Sequence, residues 1–282
     1  MTALSTPARR RIDGSLPFVY FVALIAVAVT IVPVLYVVIG GFRSTAQINA
    51  DPSGFPDPWI LTNYGTVLGS ATFWQQVLSS SIVAIATTAG VVILGVLAAF
   101  VIARYQFRGR EAIFSLFTAG LLFPLSVAIV PLFVMLKSMG LLNTLAGVAI
   151  PQIAFDLPTT IIILVPFLRA IPAELEDAAM IDGASRFGFF WRILLPLSGA
   201  GLITVGVLAF VKSWNAYLLP LLVLGSPKTA TLPLGVQYFS TAYSQDTAAV
   251  LAFTSLAMLP ALIFFTIAQR RIVGGLTGAV KG

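Results

Sequence analysis

The chain has 282 residues, 59% of them apolar and only 9% charged, with a formal net charge of +6. Ordinary soluble domains carry about a quarter charged residues, so a water-soluble fold is excluded. Cysteine and histidine are both absent, which removes disulfides, thiolate metal sites, the commonest general base and the usual pH switch, so catalysis on this chain is not expected.

Apolar runs, uncharged but for Asp156 in the fourth, cover Pro17 to Gly41, Val77 to Ala103, Ala112 to Leu136, Leu145 to Leu168, Ile193 to Val211 (continuing past Lys212 towards Leu224) and Thr247 to Ala268. Each reaches the roughly 20 residues that a helix rising 1.5 Å per residue needs to cross a bilayer core. Hydrocarbon offers backbone N–H and C=O groups no partner outside the protein, so spans of this length are predicted as helices. The expected fold class is an all-α integral membrane protein with six transmembrane helices. The first run follows Arg9, Arg10 and Arg11, and Ala26 and Ala28 have the spacing of a signal cleavage site. Its length exceeds a signal-peptide core, so it is predicted to be retained.

Basic residues sort by side. Arg9 to Arg11, then Arg104, Arg108 and Arg110, then Arg169, Arg186 and Arg192, then Arg270, Arg271 and Lys281 lie at alternate span ends, twelve of the sixteen. Arg43, Lys137 and Lys228 lie on the opposite side. The positive-inside bias predicts that both termini of a multi-pass membrane protein are cytoplasmic. The basic surplus is a topology signal, and no nucleic-acid partner is inferred from it. The organisation expected is a cytoplasmic tail over 1–16, a membrane domain over 17–268 and a C-terminal tail over 269–282, without internal repeats.

Phe42 to Gln76 reads as an external loop, rich in proline and aspartate, with Trp59, Tyr64, Phe73 and Trp74 placed to anchor in the headgroup layer. The third span carries Pro124 and Pro131 and the fourth Pro151, Pro158 and Pro166. Each removes a helix hydrogen bond, which predicts two bent or partly broken helices able to shape a pathway.

The stretch 171–196, IPAELEDAAMIDGASRFGFFWRILLP, is long and charged beside the other loops. Pro172 suits a first helical position, and Glu174, Glu176 and Asp177 put negative charge near the positive helix end. Asp182 and Arg186 stand four apart and can pair on the outer face of the helix. Leu175, Ala179 and Gly183 form a row of shrinking side chains that lets another surface approach the backbone. Phe187, Phe190, Trp191 and Leu194 follow as an apolar stripe leading into the fifth span. An ordinary amphipathic loop helix is equally compatible with these features.

Asp177, Ala178 and Ala179, then Gly183, then Ile193, Leu195 and Pro196 resemble the EAA loop of bacterial ABC-importer permeases, with aspartate where the family usually has glutamate. Further residues resemble the carbohydrate branch that contains the second, six-helix permease of maltose-type importers. Ala98, Ala99, Ala103, Arg104, Phe107 and Gly109 are similar to its second-span exit. Pro131, Leu132, Phe133, Gly140, Leu141, Asn143 and Thr144 match its third-span exit, and Trp214, Asn215, Leu218 and Pro220 its fifth-span motif, with Ala216 where an acidic residue is common. Gln269 to Arg271 and Gly274 to Gly282 resemble its tail.

The resemblance implies an importer permease that moves a sugar, with a second permease subunit as heterodimer partner, a dimer of cytoplasmic ATPases and an extracytoplasmic sugar-binding protein. It implies that Glu176 to Arg186 form a coupling helix, with Glu176, Asp177, Ala178, Ala179, Asp182, Gly183, Ala184 and Arg186 at the ATPase contact. Thr277, Gly278, Val280 and Lys281 in the tail are implied to reach the ATPase dimer. No G-x-x-x-x-G-K-[ST] phosphate loop is present, so ATP and Mg belong to the partner and no cofactor is expected on this chain.

Asp156 and Lys212 are charges within spans, where isolation costs about 2.5–3.5 kcal/mol or more, so each is expected to find a partner, the other being the obvious one. Gln152, Trp214, Asn215 and Tyr217 join them as pathway-lining candidates, offering hydrogen bonds and ring faces to a sugar. A purely structural ion pair is the other reading. An ion-coupled secondary transporter is the alternative function, with few buried titratable groups to support it; a membrane enzyme lacks a nucleophile and base.

Overall fold

The computed structural model describes residues 16–239 and 246–279, and these are helical with short connections and no strand. The first helix, α1 (Leu16–Gly40), is apolar on every side and exposed along most of its length, as a lipid-facing helix can be. The segment that follows folds into α2 (Thr45–Ala50) and α3 (Thr62–Gly69), with a capping box between Ser44 and Gln47 at the start of α2. Of its aromatics, Trp59 and Trp74 are exposed, but Phe73 is buried edge-on against Phe253 at 5.6 Å and Tyr64 Oη donates to Val38 O at 2.7 Å. The headgroup-anchor expectation therefore fits the two tryptophans only, because the other two rings are drawn into helix contacts.

Next comes α4 (Ala71–Arg104), whose 34 residues span about 51 Å, well beyond a hydrocarbon core of roughly 30 Å. The third apolar run divides into α5 (Arg110–Gly120) and α6 (Leu125–Ser138), which meet at a 99° bend. Pro124 causes the break: it stands in extended conformation as the cap of α6, and it cannot donate the hydrogen bond that would continue α5. The fourth run behaves differently. It forms one unbroken helix, α7 (Leu145–Arg169), with Pro151, Pro158 and Pro166 all inside it. The partial break predicted there does not occur, since neighbouring helices can hold the freed carbonyls in place.

The loop after α7 holds α8 (Glu174–Ile181) and α9 (Arg186–Phe189), followed by a π turn over Phe190–Leu194 and α10 (Leu195–Leu197). These lead at a 74° bend into α11 (Gly199–Trp214). The chain continues through α12 (Leu218–Val223), α13 (Leu232–Gly235) and α14 (Thr247–Ala279). Among the described residues, four helices are long and apolar enough to span a membrane, and the count reaches six when each bent pair is one span.

Packing centres on α4, α7 and α11. Close approach of α4 to α7 depends on Gly90 and Gly95, where an added Cβ would run into Ile153 and Thr160 side chains. The turn between α6 and α7 is locked by Asn143, which adopts φ +58°, takes a hydrogen bond from Gly225 N–H on its Oδ1 and donates its own N–H to Val223 O at 2.8 Å. Asn143→Ala loses one bond worth about 1 kcal/mol and adds left-handed strain of about 1–2 kcal/mol. We expect its thermal unfolding midpoint in detergent to fall measurably, and an unchanged midpoint would count against the lock.

Candidate functional site

Two regions carry polar chemistry. The first lies within the membrane domain, where α7 and α11 face a crevice of about 500 Å³ that also meets the α5–α6 bend. Gln152, Asp156, Lys212, Ser213 and Tyr217 line it, beside Phe123, Pro124 and Phe155. Asp156 and Lys212 are bonded as an ion pair, the carboxylate buried and the lysine two-thirds exposed. A charge so exposed within a span belongs on water or protein rather than lipid.

Gln152 is the junction of three helices. Its Oε1 accepts from Thr87 Oγ1 of α4 at 3.0 Å and from Ser213 Oγ of α11 at 2.6 Å, while its Nε2 is buried without a partner. Tyr217 Oη accepts from Gln237 Nε2 at 2.6 Å. The other two lining candidates are elsewhere. Trp214 is buried against Phe210 and donates its Nε1 to Ala257 O at 3.2 Å, and Asn215 donates back to Val211 O at 2.8 Å. Neither lines the crevice; Trp214 turns towards α14, where its ring gains apolar contact. Thr87, Ser213 and Thr159 belong to the site and had no motif to mark them.

The second region is the 171–196 loop. Its helix starts at Glu174, two residues past Pro172, and stops at Ile181 instead of running on to Arg186. Gly183 at φ +82° ends it in a Schellman turn, with Gly183 N–H donating to Met180 O at 3.1 Å and Ala184 N–H to Ala179 O at 2.9 Å. Because the helix ends there, Asp182 and Arg186 no longer share a face and do not pair. Arg186 lies instead over the Tyr105 ring at 4.9 Å. The predicted small-residue row also divides: Ala179 is buried in the chain's own core, whereas Gly183 is exposed.

The aromatic stripe divides in the same way. Phe190 and Leu194 are buried with Phe189, while Phe187 and Trp191 stay exposed and contact each other at 5.8 Å. The π turn sends successive side chains to opposite sides of what an α-helix would have kept as one stripe. Asp177, Ala178, Asp182 and Gly183 remain on the surface together with Met180 and Ile181, the latter 86% exposed. Burial holds the Tyr105 phenol above its ordinary pKa, Glu176 pushes it further up, and Arg186 partly offsets both. The ring facing Arg186 is therefore neutral at physiological pH.

Of the C-terminal residues, Thr277 and Gly278 fall in the backbone of α14, and Val280 and Lys281 lie outside the described residues. The glycine-rich segment up to Ala279 continues α14.

Residues 91–277 match the family of binding-protein-dependent transport system inner membrane components. This chain is a member of that permease family. Relatives are similar over nearly the whole permease. It is 35% identical over 251 residues to the diacetylchitobiose uptake system permease protein NgcG of Streptomyces coelicolor, covering 88% of this chain and 83% of that one. It is 32% identical over 261 residues to the trehalose transport system permease protein SugB of Mycobacterium tuberculosis, covering 92% and 95%. The sulfoquinovosyl glycerol transport system permease protein SmoH of Agrobacterium fabrum is 31% identical over 283 residues, covering 100% and 99%. In fold, the permease superposes with a TM-score of 0.78 on a chain of a bacterial ABC transporter that imports the acidic polysaccharide alginate, at 22% identity over 94% of this chain and 99% of that one. The protein is therefore a multi-pass permease subunit of the ABC-importer fold, and the ion-coupled transporter reading is set aside.

Proposed function

We propose that this permease carries a sugar across the bacterial cytoplasmic membrane, as one half of a heterodimeric pore driven by a separate ATPase dimer and supplied by an extracytoplasmic binding protein. The observation that carries the proposal is the near full-length similarity to permeases named for three different glycosides. The crevice supports it: an amide, a phenol and an ammonium held by its carboxylate beside Phe123 and Phe155 suit a ligand of many hydroxyls. Gln152, Asp156, Lys212 and Tyr217 are the residues proposed to line the pathway.

The 171–196 loop is proposed to dock on the ATPase through Glu176, Asp177, Ala178, Asp182, Gly183, Ala184 and Arg186, with Met180 and Ile181 supplying apolar contact. Ala179 acts from within, by seating α8 on the core. Thr277, Gly278, Val280 and Lys281 are proposed as a further contact at the ATPase dimer. The arginine distribution supports a cytoplasmic side for this loop and both termini. ATP and Mg then act on the partner. A change of state in the pore follows only from the ATPase binding one state better than the other.

Two measurements test this reading. Affinity purification of the permease in mild detergent is expected to recover a second permease chain and an ATPase. Proteoliposomes of that complex, given ATP inside and a cognate binding protein outside, are expected to take up labelled diacetylchitobiose or trehalose. Uptake by the permease alone, driven by a proton or sodium gradient without ATP, would reject the proposal.

A further inference from the structure

The cytoplasmic end of α4 touches the loop proposed to meet the ATPase, although some 67 residues of chain separate Arg104 from Ile171. Arg104 Nη2 donates to Ile171 O at 2.9 Å, at the point where α7 gives way to the loop. Its guanidinium also lies 6.0 Å from the Phe189 ring, within reach of a cation–π contact. The next residue, Tyr105, carries Arg186 on its face at 4.9 Å. Phe100, one turn back, bridges Tyr105 at 5.3 Å and Phe190 at 4.9 Å. Beneath these contacts, Ala99, Phe100, Leu168, Ala179, Phe189 and Leu194 are buried in one core.

We propose that Arg104 and Tyr105 are positioning residues which clasp the 171–196 loop to α4, so that movement of the loop enters the pathway through α4 as well as through α7 and α11. The inference rests on the coupling reading of that loop. A helix is stiff along its axis. Seventeen residues above Arg104, about 26 Å away, the same helix presents Thr87 to Gln152 at 3.0 Å, in the polar junction of the crevice. Displacing the clasp therefore displaces the one hydroxyl by which α4 holds Gln152. The neutral Tyr105 ring suits this task, because its face attracts Arg186 through the quadrupole without a charge that would need its own partner.

The chain has no cysteine, so a single Thr159→Cys substitution gives a reporter in the crevice wall free of background from this subunit. In the reconstituted importer, the rate at which a maleimide modifies that reporter is expected to differ between the ATP-free state and the ATP-plus-orthovanadate state. Adding Arg104→Gln, Tyr105→Leu or Arg186→Gln is expected to shrink that difference about two- to fivefold, the weight of one exposed cation–π contact. ATP hydrolysis by the Arg104→Gln and Tyr105→Leu complexes is expected to continue. Tyr105→Phe keeps the ring face and is expected to keep the full difference.

Arg104 lies outside the proposed ATPase contact, so Arg104→Gln removes its bond to Ile171 O and tests the idea even if Tyr105→Leu fails to assemble. An undiminished ATP-driven change in the Arg104→Gln complex overturns the proposal. Absence of any ATP-driven change in the parent overturns the coupling reading instead.

Discussion

Lys212→Met is expected to reduce the amount of folded permease in the membrane and to lower its thermal unfolding midpoint more than Asp156→Asn does. The asymmetry follows from burial: the Asp156 side chain is 8% exposed and that of Lys212 is 65% exposed. Removing the lysine leaves a buried carboxylate without counter-charge, a change that typically costs about 3–5 kcal/mol. Removing the carboxylate's charge leaves an ammonium on a flexible stem that can reach water, so the loss is smaller. An Asp156→Leu/Lys212→Met double variant is expected to regain most of the stability, since an apolar pair of similar volume has no unpaired charge. Fluorescence-monitored unfolding in detergent checks all three. A Lys212→Met protein as stable as the parent would mean that the pair does not hold α7 to α11.

Gly183→Val is expected to abolish uptake while the protein still inserts in the membrane. A Cβ at Gly183 would meet nothing within 4 Å, so crowding inside the chain is not the cause. The cost is in the backbone. At φ +82° an L-residue pays about 1–2 kcal/mol, and a β-branched one more, which depopulates the Schellman turn about five- to thirtyfold. Gly183→Asn tolerates the left-handed region better and is expected to transport at an intermediate rate. Equal loss in both variants would point to a partner surface that excludes any side chain. Normal uptake by Gly183→Val would show that the turn is not needed.

Much of this molecule is legible from its residues one at a time. The apolar runs appear as helices near their expected places, and the pairing of Asp156 with Lys212 follows from the cost of a lone charge in hydrocarbon. The loop between the fourth and fifth runs was marked by its charge and by residues shared with a known family, and its helix is present. The misses have a common form. Helical periodicity placed Ala179 with Gly183, Asp182 with Arg186 and Phe187 with Phe190, and each pairing fails where the helix is interrupted by a left-handed glycine or a π turn. Prolines mislead for a related reason: Pro124 breaks a span and the three in α7 do not, although all remove the same hydrogen bond.

What the sequence determines alone is the membrane as solvent, the helix content and the family, together with an expectation of sidedness. These depend on local composition, because backbone satisfaction in hydrocarbon and the charge of short loops do not require knowing which helix meets which. Only the tertiary structure decides that Gln152 joins three helices, that Trp214 turns away from the crevice and that Arg104 and Tyr105 meet the loop. Those outcomes depend on helix rotation and on contacts between residues some 40 to 80 positions apart. No periodicity within one helix encodes the rotation of another, which is settled by how their side chains interlock.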